Sequence, residues 1–210
     1  MTADPTLSTY YAQRAAEYER IYQKPERQSE LHALRNLVRA AMAGRDVLEV
    51  ACGTGYWTEV AAGSAAFITV FDINEAVLDI ARSKSIDRHN ARFAVGDAYQ
   101  LPVASDGFNA ALAVFWWSHV PREQVAGFLG RLHRVLKPGA RVVFIDNTFV
   151  PGESTPIRRT DDKGNAYQLR RIDNGETFEV LKNYPTEVEL REAVEKVAVK
   201  IEIQWLKYYW

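Results

Sequence analysis

The sequence predicts an α/β protein built on a doubly wound, mostly parallel sheet, with an N-terminal helical lid and a β-hairpin inserted after the fifth strand. Three observations predict it. Short apolar, β-branched runs alternate with amphipathic helical stretches from Gln28 to Asp146, which is the pattern of βα units. The run Phe108–Phe115 is apolar almost throughout, as a central parallel strand buried on both faces should be. After Asn147 the alternation stops, and two strand-like runs flank Asp173-Asn174-Gly175; Asn-Gly is a strong hairpin-turn signal.

Each element follows from its residues. Tyr11, Arg14 or Ala15, and Tyr18 recur at i, i+3/i+4 and i+7, one face of an N-terminal helix. Leu31, Leu34, Leu37, Val38 and Met42 give Gln28 to Ala43 a helical period, and Gly44 stops it. Asp46–Ala51 reads as the first strand, Phe67–Asp72 as the second, Ala91–Val95 as a short third and Phe108–Phe115 as the fourth. Gln124–Leu136 reads as a helix ended by Lys137-Pro138-Gly139, and Arg141–Asp146 as the fifth strand. Pro151, Gly152 and Pro156 mark a loop, and Ala166–Ile172 and Glu176–Asn183 form the hairpin. Thr186 and Glu189 make a capping box for a helix to about Val199, and Lys200–Trp210 reads as a last strand. This divides one domain of 210 residues into a helical lid (1–44), a core (45–147) and a hairpin, helix and final strand (148–210).

Composition narrows the classes. Hydrophobic residues make up 47 % and charged residues 25 %, the balance of a globular domain with one core. A net charge of −1 leaves no basic excess for a phosphate backbone, so nucleic acid is not an expected partner. No apolar run approaches a membrane span, Met1 to Ser8 lack the basic and apolar stretches of a signal peptide, so none is expected, and the single Cys52 cannot form an internal disulfide. A cytoplasmic monomer or homodimer is the expectation.

The chemistry concentrates at the carboxyl ends of the first strands. Val47 to Gly55 reads V-L-E-V-A-C-G-T-G, a buried strand running into a glycine turn. Gly53 and Gly55 let backbone approach a ligand, and the helix that follows offers free N–H groups. Thr58 stands where a dinucleotide fingerprint has its third glycine, and no Gly-Lys-Ser/Thr follows, so neither a nicotinamide oxidoreductase nor a P-loop is favoured. Glu49 is costly inside an apolar strand unless something pairs with it. Asp72 ends the second strand and Asp97 follows the third, at the sheet edge where open α/β folds bind ligands. Each acid by itself could equally be a helix cap.

These motifs together resemble the class I S-adenosylmethionine-dependent methyltransferases, whose first motif is usually written E/D-x-G-x-G-x-G; Ala51 stands at its first glycine. The resemblance runs on through F-D-I-N, G-D-A-Y-Q-L-P, Phe108 to Pro121 and L-K-P-G-A-R-V-V-F, from about Tyr10 to Asp146. It implies a Rossmann-like methyltransferase sheet, S-adenosyl-L-methionine as cofactor and S-adenosyl-L-homocysteine as product. It implies that Glu49, Ala51, Gly53 and Gly55 line the methionine part, that Asp72 binds the ribose, and that Ile73 packs on the adenine. It further implies that Asp97 and Ala98 meet the adenine amino group, and that Phe115 closes the site. Tyr11 and Tyr18 resemble the tyrosines of the leading segment in small-molecule members, and both could reach the methionine carboxylate.

At the mouth, Trp116 and Trp117 suit an apolar or planar acceptor or belong to the core, and His119 is the candidate general base. His32, His89, His119 and His133 sit on separate elements, so no metal site is expected. The insert after the fifth strand holds Arg158, Arg159, Tyr167, Arg170 and Arg171, which form a solvated face, cover the substrate, make a subunit contact or hold an anionic group. The expected function is methyl transfer to a small molecule. The alternatives are a protein or RNA methyltransferase and a non-catalytic S-adenosylmethionine-binding module.

Overall fold

A computed structural model describes residues 4–87 and 89–210. Five parallel strands form the main sheet in the order β3-β2-β1-β4-β5: β1 (Asp46–Val50), β2 (Phe67–Asp72), β3 (Ala91–Val95), β4 (Phe108–Val114) and β5 (Leu136–Ile145). The order reverses between β1 and β4, so the chain leaves the sheet in opposite directions there and opens a crevice at the carboxyl edge. Val47, Leu48, Ile68, Val70, Ala110 and Leu112 are buried, which explains why these strands carry no polar face.

Helices α2 (Gln28–Met42), α3 (Tyr56–Ala62), α4 (Glu75–Ser83) and α5 (Val125–Val135) cover the sheet. α2 buries Leu31, Leu34, Val38 and Met42, the stripe that its sequence period requires. Asn74, not Asp72, caps α4: its side chain accepts from the Ala76 N–H at 3.1 Å. A second, antiparallel sheet of β6 (Arg159–Thr160), β7 (Ala166–Arg171) and β8 (Thr177–Leu181) contains the expected hairpin, and α6 (Glu187–Val194) starts at the expected capping box.

Three expectations need correction. The N-terminal segment is not one helix: α1 (Pro5–Arg14) tightens into a 3₁₀ segment over Ala15–Tyr22, so Tyr11 and Tyr18 do not share one α-helical face. Lys137-Pro138-Gly139 does not simply end a helix. Strand pairing begins at Leu136, and residues 137–140 bulge before Arg141 rejoins β4 opposite Ala110. Lys200–Trp210 is not a strand: only its end lies beside residues 146–148, through an Asn147–Tyr209 bridge. The carboxylate of Glu30 takes the backbone N–H groups of Lys207 and Tyr208, so those donors are diverted from a sheet ladder. Among the described residues, no helix is long and apolar enough to cross a membrane.

The lid and the hairpin meet over the carboxyl edge. Leu7 and Tyr10 of α1 pack on Ile172 and Val180 of the hairpin. The hairpin is also tied downward: the ammonium of Lys182 lies 2.9 Å from Asp146 Oδ1 and donates to Ser118 Oγ and Asn147 Oδ1.

Candidate active site

The crevice at the β1/β4 reversal is a cleft lined by residues from five separate segments. Ala51 and Gly53 come from the turn after β1, Asp72, Ile73 and Asn74 from the end of β2, and Gly96, Asp97 and Ala98 from the end of β3. Phe115, Trp116 and His119 follow β4, and Tyr11 and Tyr18 close the cleft from the N-terminal segment.

Backbone geometry builds the floor. Ala51 (φ 54°), Gly53 (φ 56°) and Phe115 (φ 58°) are all left-handed, two of them without being glycine. Such conformations cost about 1–2 kcal/mol per residue and persist only where the surroundings enforce them. Here they turn both central strands sharply away from the edge. A Cβ at Gly53 would stand 3.9 Å from Tyr18 Cε1, in the gap between turn and lid. Asp72 holds the floor: Oδ2 accepts the Gly53 N–H and Oδ1 the Asn74 N–H, both at 2.9 Å. Burial raises the Asp72 carboxyl above its ordinary value, against those backbone donors. Asp97 Oδ1 accepts the Tyr99 N–H at 2.8 Å. Ile73, 41 % exposed, offers an apolar surface beside the two acids.

Glu49 and Gly55 are not in the cleft wall. Glu49 is 2 % exposed beneath the turn, and its Oε2 has no hydrogen-bond partner. Burial pushes its carboxyl up to about 8, and the Asp72 charge adds to that. Gly55 (φ 78°) starts α3, and a Cβ there would meet Ala81 Cβ at 2.7 Å. Its openness serves the contact between α3 and α4.

His119 sits at the mouth, buried. Its Nδ1 lies 2.6 Å from the Leu181 carbonyl, which can only accept, so Nδ1 carries the proton and Nε2 is the acceptor for the Tyr11 hydroxyl at 2.8 Å. Burial, reinforced by the Lys182 charge, lowers the imidazole to about 3, so it is neutral near pH 7. Trp117 is a core residue against Phe144 and Trp210, whereas Trp116 reaches the cleft.

A second cavity of about 360 Å³ adjoins the first, with Tyr11, Tyr18, Phe115 and His119 as common walls. Its other walls include Arg14, Lys24, Arg27, Asn147, Thr155, Arg170, Arg171, Lys182 and Tyr184. Of these, Arg14 and the hairpin arginines stand out in the sequence. The signal that finds Lys182 is its setting: a lysine inside the apolar run V-L-K-N is as anomalous as Glu49 in the first strand.

Residues 47–139 match a methyltransferase-domain family model. The demethylmenaquinone methyltransferase of Staphylococcus aureus strain MRSA252 is 35 % identical over 108 residues, 50 % of this chain and 44 % of that protein. The chain thus spans under half the length of the curated relatives it matches. A solved DhpI–SAH complex is 27 % identical with a TM-score of 0.72, over 91 % of this chain and 85 % of that one. A DhpI–SAM–HEP complex is 25 % identical with the same TM-score, over 93 % and 90 %. With five motifs in order along a reversing parallel sheet, a methyltransferase-domain match over residues 47–139 and structural likeness over nearly its whole length, the chain is similar to the class I S-adenosylmethionine-dependent methyltransferases.

Proposed function

We propose that the chain transfers the methyl group of S-adenosylmethionine to a small-molecule acceptor. The observation that carries this is one cleft at the strand reversal that offers a left-handed glycine turn, two acids at successive strand ends and an apolar platform between them. That donor set fits the cofactor: Gly53 and Ala51 for its methionine part, Asp72 for the ribose hydroxyls, Ile73 for the face of the adenine and Asp97 with Ala98 for its amino edge. Glu49 lies beneath with one carboxyl oxygen unpartnered, and a cationic group bound above it would draw it toward the ionised form. When bound, the cofactor supplies an electrophilic methyl on a sulfonium, so the protein's own work is positioning and exclusion of water.

Tyr11, Tyr18, Phe115 and His119 stand where the two cavities join. The neutral His119 receives a hydrogen bond through Nε2, from Tyr11 in this structure and from an acceptor O–H or N–H during turnover. It orients the acceptor and is a weak base by itself, since burial holds it near 3. A flat, apolar acceptor is the second reading; it is supported by the aromatic walls Tyr11, Tyr18 and Phe115 and by the quinone-type name of the Staphylococcus relative.

Calorimetric titration with S-adenosylhomocysteine and with NADH tests the cofactor. Saturable binding of the first alone is expected. Asp72→Ala should weaken it by roughly 10- to 150-fold, the loss of about 1.5–3 kcal/mol for hydrogen bonds to a charged group. Equal affinity in a folded Asp72→Ala variant overturns the ribose assignment. A screen of methyl acceptors with labelled cofactor then separates an enzyme from an inert binder.

A further inference from the structure

The second cavity is unusual in charge. Its walls carry Arg14, Lys24, Arg27, Arg170, Arg171 and Lys182, against one carboxylate, Glu153. The chain as a whole has a net charge of −1, so this concentration is local. Few of the cations are neutralised. Glu153 is taken by Lys207 outside the cavity, at 2.8 Å. Lys182 is paired with Asp146 below the floor, and Arg14 only loosely with Glu17, at 3.8 Å. Arg170 donates to the neutral side chain of Gln168 and has no carboxylate within 4 Å among the described residues. Arg27 lies over the rings of Tyr208 and Tyr209, and its Nε is buried without a hydrogen-bond partner. Half-buried arginines held without counter-charge carry a desolvation cost that an anion would offset.

The neighbourhood is built for an oxyanion. Two guanidiniums from opposite sides, Arg27 before α2 and Arg170 on β7, face the same space with the Lys182 ammonium, and Asn147, Thr155 and Tyr184 add neutral polar groups. Guanidinium groups match carboxylate and phosphate oxygens in pairs. The space is a cavity rather than a flat face, which suits a small molecule. It shares the wall of Tyr11, Tyr18, Phe115 and His119 with the cofactor cleft, so a molecule held at one end by its anion has its other end at that wall.

We propose that the second cavity is the acceptor subsite and takes a small molecule by an oxyanion group, carboxylate, phosphate or phosphonate, held between Arg27 and Arg170. This rests on the methyltransferase reading for the word acceptor, and on the cavity alone for the anion. It departs from a flat apolar acceptor, because an uncharged ring system would leave both guanidiniums desolvated and unpaired.

Titration of the S-adenosylhomocysteine-loaded protein with inorganic phosphate, with propionate and with the neutral propionamide tests it. Phosphate and propionate should bind saturably and more weakly as salt rises, and propionamide should not. Arg170→Gln should weaken phosphate by at least about ten-fold, the loss expected for charge-assisted hydrogen bonds. Arg27→Gln should do the same, with Arg27→Lys as its second form where loss of the ring contacts unfolds the chain. Arg159→Gln, which breaks an ion pair with Glu179 away from the cavity, should leave phosphate binding unchanged. Absence of saturable phosphate binding in protein that binds S-adenosylhomocysteine overturns the anion subsite and leaves the methyltransferase reading standing, as does equal binding in Arg170→Gln or salt-insensitive binding of 1,4-naphthoquinone in its place. Phosphate binding with the expected arginine dependence but no binding of S-adenosylhomocysteine does the reverse.

Discussion

Glu49 shows how one residue can belong to a site it does not line. Its carboxyl is raised from 4.5 to about 8 by burial, so folding must keep it protonated or bear an unpaired charge. The sign of the linkage follows: below pH 4.5 the group is protonated in both states and costs nothing, and between pH 4.5 and 8 the unfolded chain releases the proton first, so stability falls as pH rises. Over that window the loss is about 4 kcal/mol. Glu49→Gln removes it, so the variant should gain on the wild type between pH 4.5 and pH 8 in urea titrations, and a constant difference would refute the raised value. S-Adenosylhomocysteine, whose amino group is cationic, should bring the wild type back toward the variant at pH 8. Single residues of this kind were legible because they break a local rule: Glu49 in an apolar strand, Asp72 and Asp97 at strand ends. Lys182 breaks the same rule in V-L-K-N, but its meeting with Arg27 does not show in the sequence, since more than a hundred residues separate them. Ala51 was legible in kind but not in reason: at φ 54° it occupies a position where glycine would be unstrained.

Elements of this fold are placed by contacts that fix their distance. The two glycines of the first turn do different work. Gly55 lets α3 approach α4, so Gly55→Ala, with its Cβ 2.7 Å from Ala81 Cβ and φ at 78°, should cost about 2–4 kcal/mol of stability by denaturant midpoint. At Gly53 the same substitution meets nothing closer than 3.9 Å. Gly53→Ala should bear only the left-handed strain, about 1–2 kcal/mol, while weakening S-adenosylhomocysteine, because the methyl enters the cleft. A larger stability loss at Gly53 than at Gly55 would contradict this division. The hairpin is fixed instead by charge. Lys182→Met leaves Asp146 buried and unpaired and should destabilise the fold by about 3–5 kcal/mol, with partial recovery in Lys182→Met/Asp146→Asn. Strands and the hairpin were legible because alternation and turn residues are local signals. The expected last strand failed because pairing needs a neighbour, and the Glu30 carboxylate, remote in sequence, takes the donors of Lys207 and Tyr208.

At the scale of the whole molecule, the two covers act as one. The lid is held to the body by Asn74 Nδ2 donating to the Ser8 carbonyl and by Thr54 Oγ1 donating to Glu19. It is held to the hairpin by a small apolar cluster in which Tyr10, 2 % exposed, packs on Ile172, Val180 and the ring of Phe178. A surface pair of Arg20 with Asp173 adds little, because both side chains are 65 % exposed. Trp116 touches both this cluster and the core under α5, and Tyr22 at the end of the lid belongs to the main core, so the part of the lid before Tyr18 can loosen together with the hairpin while the sheet stays closed. Tyr10→Ala should therefore cost about 3–5 kcal/mol locally and speed amide exchange over residues 8–17 and 172–181 in parallel. Exchange in β1, β2 and β4 should be unchanged. S-Adenosylhomocysteine should slow both segments together in the wild type, since Tyr11 and Tyr18 from the lid and His119, bonded to the Leu181 carbonyl of the hairpin, line one cleft. Faster exchange in the lid alone, with the hairpin as protected as before, would show that the Tyr10 cluster does not couple them and that Lys182 and Asp146 suffice to hold the hairpin down.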